Sequence, residues 1–210
     1  MNLNIKICGM REVDNIREVL TFQPDFLGFI LYSKSSRYVN RDRLEKINAI
    51  DFGSTEKVGV FVNEEPQKII SVAHRYHFKY IQLHGDETDE VIQTMKEQGL
   101  KVIKVISVAT SADLGMIHNY PSANYLLFDT KGQKRGGNGY KFDWRLLENI
   151  ATDKPIFLSG GLGVEDLKSV QEKNMENLMG LDFNSKLEEK PARKDIAKIK
   201  QLMNQINQEV

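Results

Sequence analysis

Side chains able to do acid–base or anion chemistry recur in this sequence at one kind of position, the end of a short apolar run. Cys8 closes Leu3–Cys8, His84 closes Tyr80–His84, and Asp129 closes Tyr125–Asp129. Arg37 ends the polar stretch Lys34–Arg37 that follows Asp25–Leu31. Gly160 and Gly161 follow Pro155–Leu158, and the run Leu178–Phe183 contains Asp182 and leads into Asn184 and Ser185. Each has a mundane reading and a chemical one. Cys8 is the only cysteine; it is either a small buried hydrophobe or, as a thiolate, a general base. Asp129 either caps a turn or serves as a general acid. Arg37 is either a solvated loop residue or a planar fork for a carboxylate. His84 either finishes a strand or lines a substrate pocket. A Gly-Gly turn lets backbone N–H groups approach an anion that a Cβ would keep away.

The elements that carry these residues alternate. Strand-like runs at Leu3–Cys8, Asp25–Leu31, Lys57–Val62, Tyr80–His84, Val102–Ile106, Tyr125–Asp129, Pro155–Leu158 and Leu178–Phe183 make eight. Between them lie helical patterns at Arg11–Leu20, Arg41–Ile50, Gln67–His77, Asp89–Gln98, Ala112–His118, near Trp144, and Val164–Glu172, with Lys194–Asn207 last. Thr130–Tyr140 is polar and glycine-rich and reads as a loop. Strict β–α alternation implies a parallel sheet, and eight units are the closing number of the (β/α)8 TIM barrel. An open doubly wound sheet is the rival, but no GxGxxG follows the first strand. The expectation is one barrel domain over residues 1–210. In such a barrel the chemistry sits where strands end, and phosphate is commonly held after strands seven and eight. That is where Gly160, Gly161, Asn184 and Ser185 fall.

Composition narrows the function classes. Lys and Arg together number 29, as do Asp and Glu, so the formal charge is zero and nucleic-acid binding has no electrostatic footprint. A phosphate, if bound, belongs in a pocket. A lone cysteine excludes an internal disulfide and argues against a thiolate metal cluster. No HExxH, Walker or EF-hand pattern is present, so neither metal nor organic cofactor is expected. No secretory leader precedes the first strand, and no apolar run approaches the ~18 residues of a membrane span. The reading is a soluble cytoplasmic protein without a membrane partner.

Ordered along the whole chain, Lys6-Ile7-Cys8-Gly9-Met10, Ser35-Ser36-Arg37-Tyr38-Val39, Val58–Asn63, Ile81-Gln82-Leu83-His84-Gly85, Phe128-Asp129-Thr130, Gly136–Gly139 with Phe142-Asp143-Trp144, Leu158–Leu162 and Asp182–Ser185 with Glu188 and Lys194-Asp195 form a specific set. With them the sequence resembles the phosphoribosylanthranilate isomerase family of tryptophan biosynthesis. The resemblance implies a cofactor-free Amadori rearrangement of a small-molecule sugar phosphate. It implies Cys8 as general base, Asp129 as general acid and Arg37 as the holder of the anthranilate carboxylate. His84, Gly160, Gly161, Asp182, Asn184 and Ser185 are the further expected substrate contacts, and the assembly is expected to be a monomer or a homodimer. Two residues depart from the family pattern. Lys186 stands where glycine is usual, which suggests an ammonium supplementing the phosphate site. Asn138 stands where threonine is common. Alternatives are a histidine-pathway aldose–ketose isomerase, expected to use two acidic groups on the rim, and a barrel that binds phosphate without turnover.

Overall fold

The computed structural model describes residues 3–132, 141–148, 150–173 and 175–208. Its eight parallel strands close on themselves in chain order. They are β1 (Asn4–Ile7), β2 (Phe26–Ile30), β3 (Glu56–Phe61), β4 (Tyr80–Leu83), β5 (Lys101–Val108), β6 (Tyr125–Thr130), β7 (Ile156–Leu158) and β8 (Leu178–Phe183). The ring is sealed by β8 against β1, with Lys6 opposite Asp182 and Ile7 opposite Phe183. The helices are α1 (Val13–Leu20), α2 (Arg41–Asn48), α3 (Pro66–Tyr76), α4 (Asp89–Glu97), α5 (Leu167–Gln171) and α6 (Ile196–Gln208). Among the described residues, no helix is long and apolar enough to cross a membrane.

Period-two alternation sorts each strand into an outer and an inner face. The outer residues, among them Ile5, Ile7, Leu27, Phe29, Ile81, Leu83, Leu126, Phe128, Leu181 and Phe183, join the large core under the helices. Inner residues at the floor form a second core of Phe26, Val58, Tyr80, Ile103, Val105, Leu127 and Phe157. Phe26 meets Tyr80 edge-on at 5.1 Å and Phe157 at 5.6 Å between centroids, a favoured aromatic geometry. Continuing on the same parity toward the carboxyl ends brings in Cys8 from Lys6, His84 from Gln82, and Asp129 from Leu127. The apolar floor thus gives way to a polar upper layer on the same strands.

Three connections differ from the sequence reading. Ser111–Asn119 and Trp144–Leu147 are 3₁₀ helices, and Val164–Asp166 is a 3₁₀ turn that leads into α5. In the first case Thr110 and Asp113 form a capping box, and the Asp113 carboxylate accepts the N–H groups of Ala109 and Thr110 at 2.9 Å. This holds the entry turn tightly wound. Between β8 and α6 the chain also forms an unexpected antiparallel pair, β9 (Glu188–Lys190) and β10 (Arg193–Lys194). Most of the glycine-rich loop expected at Thr130–Tyr140, including Gly136–Gly139 and Asn138, lies outside the described residues.

Candidate active site

A cleft opens at the carboxyl ends of the strands. All nine residues singled out from the sequence line it: Cys8, Arg37, His84, Asp129, Gly160, Gly161, Asp182, Asn184 and Ser185. They come from segments up to 177 residues apart, and strand register brings them together.

Cys8 sits where β1 ends, buried and unoxidised. Its N–H donates to the Phe183 carbonyl at 2.8 Å, which ties the thiol to the closing strand. Burial pushes the thiol above the ordinary cysteine range, while the Lys6 ammonium works in the opposite direction. Lys6 is fully buried and lies 2.9 Å from Asp182. Burial opposes the Lys6 charge, but Asp182 and Cys8 outweigh it and hold the lysine above its usual range. For Asp182, burial outweighs the pull of Lys6 and holds the carboxyl above its usual range, while the 2.9 Å contact with the Lys6 ammonium favours the ionised pair. Removing either partner would strand a buried charge.

Room for the thiol depends on Gly28 of the neighbouring strand. A Cβ there would stand 2.7 Å from Cys8 Sγ and 3.1 Å from Cys8 Cα. Gly28→Ala must therefore displace Cys8. The expected result is a fall in kcat of about 10- to 100-fold with the barrel still folded, since misplacement by ~1 Å costs up to ~10²-fold. Steady-state kinetics beside a thermal melt checks this; kcat within twofold of the parent would contradict it.

Across the cleft, Asp129 is buried. Its Oδ1 accepts the Thr130 N–H at 2.9 Å, and its Oδ2 lies 3.3 Å from His84 Nε2. The local turn contact therefore uses one oxygen and leaves the other facing the site. Gln82 approaches the other ring nitrogen of His84, Nδ1, at 3.2 Å through its amide nitrogen. With that amide donating, Nδ1 is the acceptor and Nε2 carries the proton toward Asp129. Gln82 itself lines the cleft, and among the described residues its buried Oε1 meets no hydrogen-bond partner.

Arg37 reaches the cleft from the segment after β2. Its Nε donates to both oxygens of Glu188 at 2.9 and 3.1 Å, and its Nη2 donates to Oε2 at 2.6 Å. Burial pushes Glu188 up, but the bonds from Arg37 and the charge of Lys194 prevail and hold it below the usual carboxylate range. The side-on edge of the guanidinium is thus occupied. Among the described residues its terminal edge, Nη1 with the second N–H of Nη2, carries no carboxylate.

Gly160 and Gly161 turn the chain after β7 with φ of +95° and +69°. A Cβ on Gly160 would collide with Thr130 and approach Asp129 Oδ1 to 3.1 Å. Asn184 and Ser185 face this turn at the head of the 3₁₀ turn Ser185–Leu187. Lys186 is exposed and is not among the residues lining the cleft. Sequence reasoning gave no role to Lys6, Gln82, Glu188 or Lys194. Parity could have found Lys6 and Gln82, each two residues before a candidate on an inward-facing strand.

Comparison with known proteins places this geometry. A relative from Parabacteroides distasonis, an N-(5'-phosphoribosyl)anthranilate isomerase, is 38% identical over 205 residues, covering 96% of this chain and 92% of its own. The crystal structure of the Thermotoga maritima phosphoribosylanthranilate isomerase superposes with a TM-score of 0.88 at 31% identity, covering 98% of this chain and 99% of that one. A phosphoribosylanthranilate isomerase crystallised with reduced 1-(o-carboxyphenylamino)-1-deoxyribulose 5-phosphate superposes with a TM-score of 0.84 at 30% identity over the same shares. The pattern of the family described as N-(5'-phosphoribosyl)anthranilate isomerase matches residues 5–205, from β1 into α6, so the barrel and every strand lining its cleft fall within the match and the chain belongs to that family.

Proposed function

We propose that this chain isomerises N-(5'-phosphoribosyl)anthranilate to 1-(o-carboxyphenylamino)-1-deoxyribulose 5-phosphate, with the barrel acting as one catalytic unit. The observation that carries the reading is the placing of a buried thiol, a buried carboxyl and a carboxylate-binding fork in one cleft of a chain in this family. Asp129 is the general acid. It protonates the furanose oxygen, the C1–O bond breaks, and the nitrogen lone pair forms the C1=N bond of a Schiff base. The negative charge left on Asp129 is received by the Thr130 N–H and by His84. Cys8, as its thiolate, then removes the proton from C2. The electrons of that C–H bond form C1=C2, and the C=N electrons return to nitrogen. The resulting enolamine loses its hydroxyl proton and gains one at C1, giving the ketone. The substrate's own nitrogen is the electron sink, so these steps call for no cofactor.

Arg37 takes the anthranilate carboxylate on its terminal edge. The phosphate fits the Gly160–Gly161 turn and the facing Asn184–Ser185 segment, where close backbone approach is possible. Asp182 serves beneath the sugar through Lys6, which opposes the cost of charging Cys8. The test is direct. Phosphoribosylanthranilate generated in situ should lose its anthranilate fluorescence at a rate proportional to added protein. A folded preparation that leaves the signal unchanged would refute the assignment.

A further inference from the structure

The pairing of Arg37 with Glu188 poses an electrostatic problem. A guanidinium neutralised by a carboxylate whose side chain is only 4% exposed offers a ligand hydrogen-bond donors but little net attraction. Lys194 resolves it. Glu188 and Lys194 are direct cross-strand partners in the β9–β10 pair, so their side chains share a face. The Lys194 ammonium is fully buried and lies 3.0 Å from Glu188 Oε1. Its remaining donors go to the Asn184 carbonyl at 3.1 Å and to Asn184 Oδ1 at 2.9 Å. Its backbone is clamped as well. Asn15 on α1, itself buried, accepts the Lys194 N–H at 2.7 Å and donates to the Lys194 carbonyl at 2.9 Å.

We propose that Lys194 is a positioning residue for carboxylate recognition: by offsetting Glu188 it leaves the Arg37–Glu188–Lys194 cluster with one net positive charge, matched to the single carboxylate of the substrate's aryl ring. The inference builds on the function proposed above and deepens it. Glu188 fixes the direction of Arg37 by holding its side-on edge, and Lys194 fixes the charge that direction carries. Neither needs to touch the ligand. Within a buried cluster such charges interact far more strongly than on a surface. The cost of burying an ammonium away from water is explained by this task. The packing of β9 on β10 alone would be served as well by an apolar side chain.

Two ligands separate charge from structure: the reduced product 1-(o-carboxyphenylamino)-1-deoxyribulose 5-phosphate and its phenylamino counterpart without the carboxylate. Their Kd values are measured by calorimetry. The unaltered protein should prefer the carboxylate ligand. Lys194→Met should cut that preference by about tenfold or more, beyond whatever both ligands lose together through the release of Asn184. Adding Glu188→Gln to Lys194→Met restores one net positive charge and keeps one oxygen to accept from the side-on edge of Arg37, so it should recover part of the preference, whereas a merely structural lysine would make the double variant worse. Equal weakening of both ligands, an unchanged preference, or no recovery in the double variant would overturn the proposal. Should the unaltered protein bind neither ligand, the reading of the cleft fails first and this inference with it.

A second measurement needs no substitution in the cluster. Burial pulls Lys194 down to about 8, against the charge of Glu188. The groups facing it are Glu188 on β9, Arg37 after β2, Asn184 after β8 and Cys8 at the end of β1. In Cys8→Ala protein, where the thiol no longer contributes its upward pull on Lys194, the carboxylate preference should fall as pH rises, with its midpoint no higher than about 8. A flat preference across that range would also overturn the proposal.

Discussion

Cys8→Ala is expected to lower kcat by about 10²–10⁴-fold, the usual contribution of a positioned general base, while the protein still folds. The substitution deletes one buried sulfur atom and leaves the Cys8 N–H bond to Phe183 intact, so the barrel seam is unaffected. The same residue sets the pH profile of the parent. Only the thiolate can take the C2 proton, and burial holds the thiol above its ordinary range despite Lys6. The thiolate fraction, and with it kcat, should therefore climb as pH rises through the neutral range and beyond, and the residual activity of Cys8→Ala should lack that limb. Rates across pH for both proteins, with melting curves as the folding control, decide the matter. A variant retaining more than a tenth of parental kcat would remove Cys8 from the role.

The second large effect is expected at Asp129. Asn preserves the shape but has no acid proton to give the ring oxygen, so ring opening should slow by about 10²–10⁴-fold. The environment makes the loss sharper. Thr130 N–H and His84 Nε2 both face carboxyl oxygens of Asp129, and an amide can present an oxygen to only one of them. The other meets an N–H group, so a stability loss of about 1–3 kcal/mol should accompany the kinetic defect. Single-turnover rates, read beside denaturant melts, separate the two consequences. Unimpaired ring opening in a folded Asp129→Asn protein would move the acid role to another residue.

The strand ends were legible because the same periodicity that defines a strand also says which of its residues face inward. Cys8, His84 and Asp129 were located as the ends of such runs, and the Gly160–Gly161 turn by its place after the seventh strand. What stayed hidden depends on long-range pairing. Nothing local to Glu188 says that it will clamp Arg37, 151 residues earlier. The β9–β10 strands are three and two residues long, too short for alternation to register, and Pro191 and charged neighbours disguise them as loop. Lys6 and Lys194 were opaque for a related reason. A lysine in isolation reads as solvent-facing, and only the partners Asp182 and Glu188 make its burial tolerable.

The seam between β1 and β8 has a consequence for how the molecule comes into being. Asn4 donates to the Met179 carbonyl 175 residues away, and Cys8 is held by Phe183 across nearly the same span. Contacts between residues so distant along the chain carry the largest loop-closure cost and tend to form slowly. As synthesis proceeds, most of the barrel emerges before the strand that completes the wall around the thiol. The cleft is therefore a property of the finished ring: β1 brings Cys8 well before β8 is made, and the thiol has its wall only when that last strand arrives beside it.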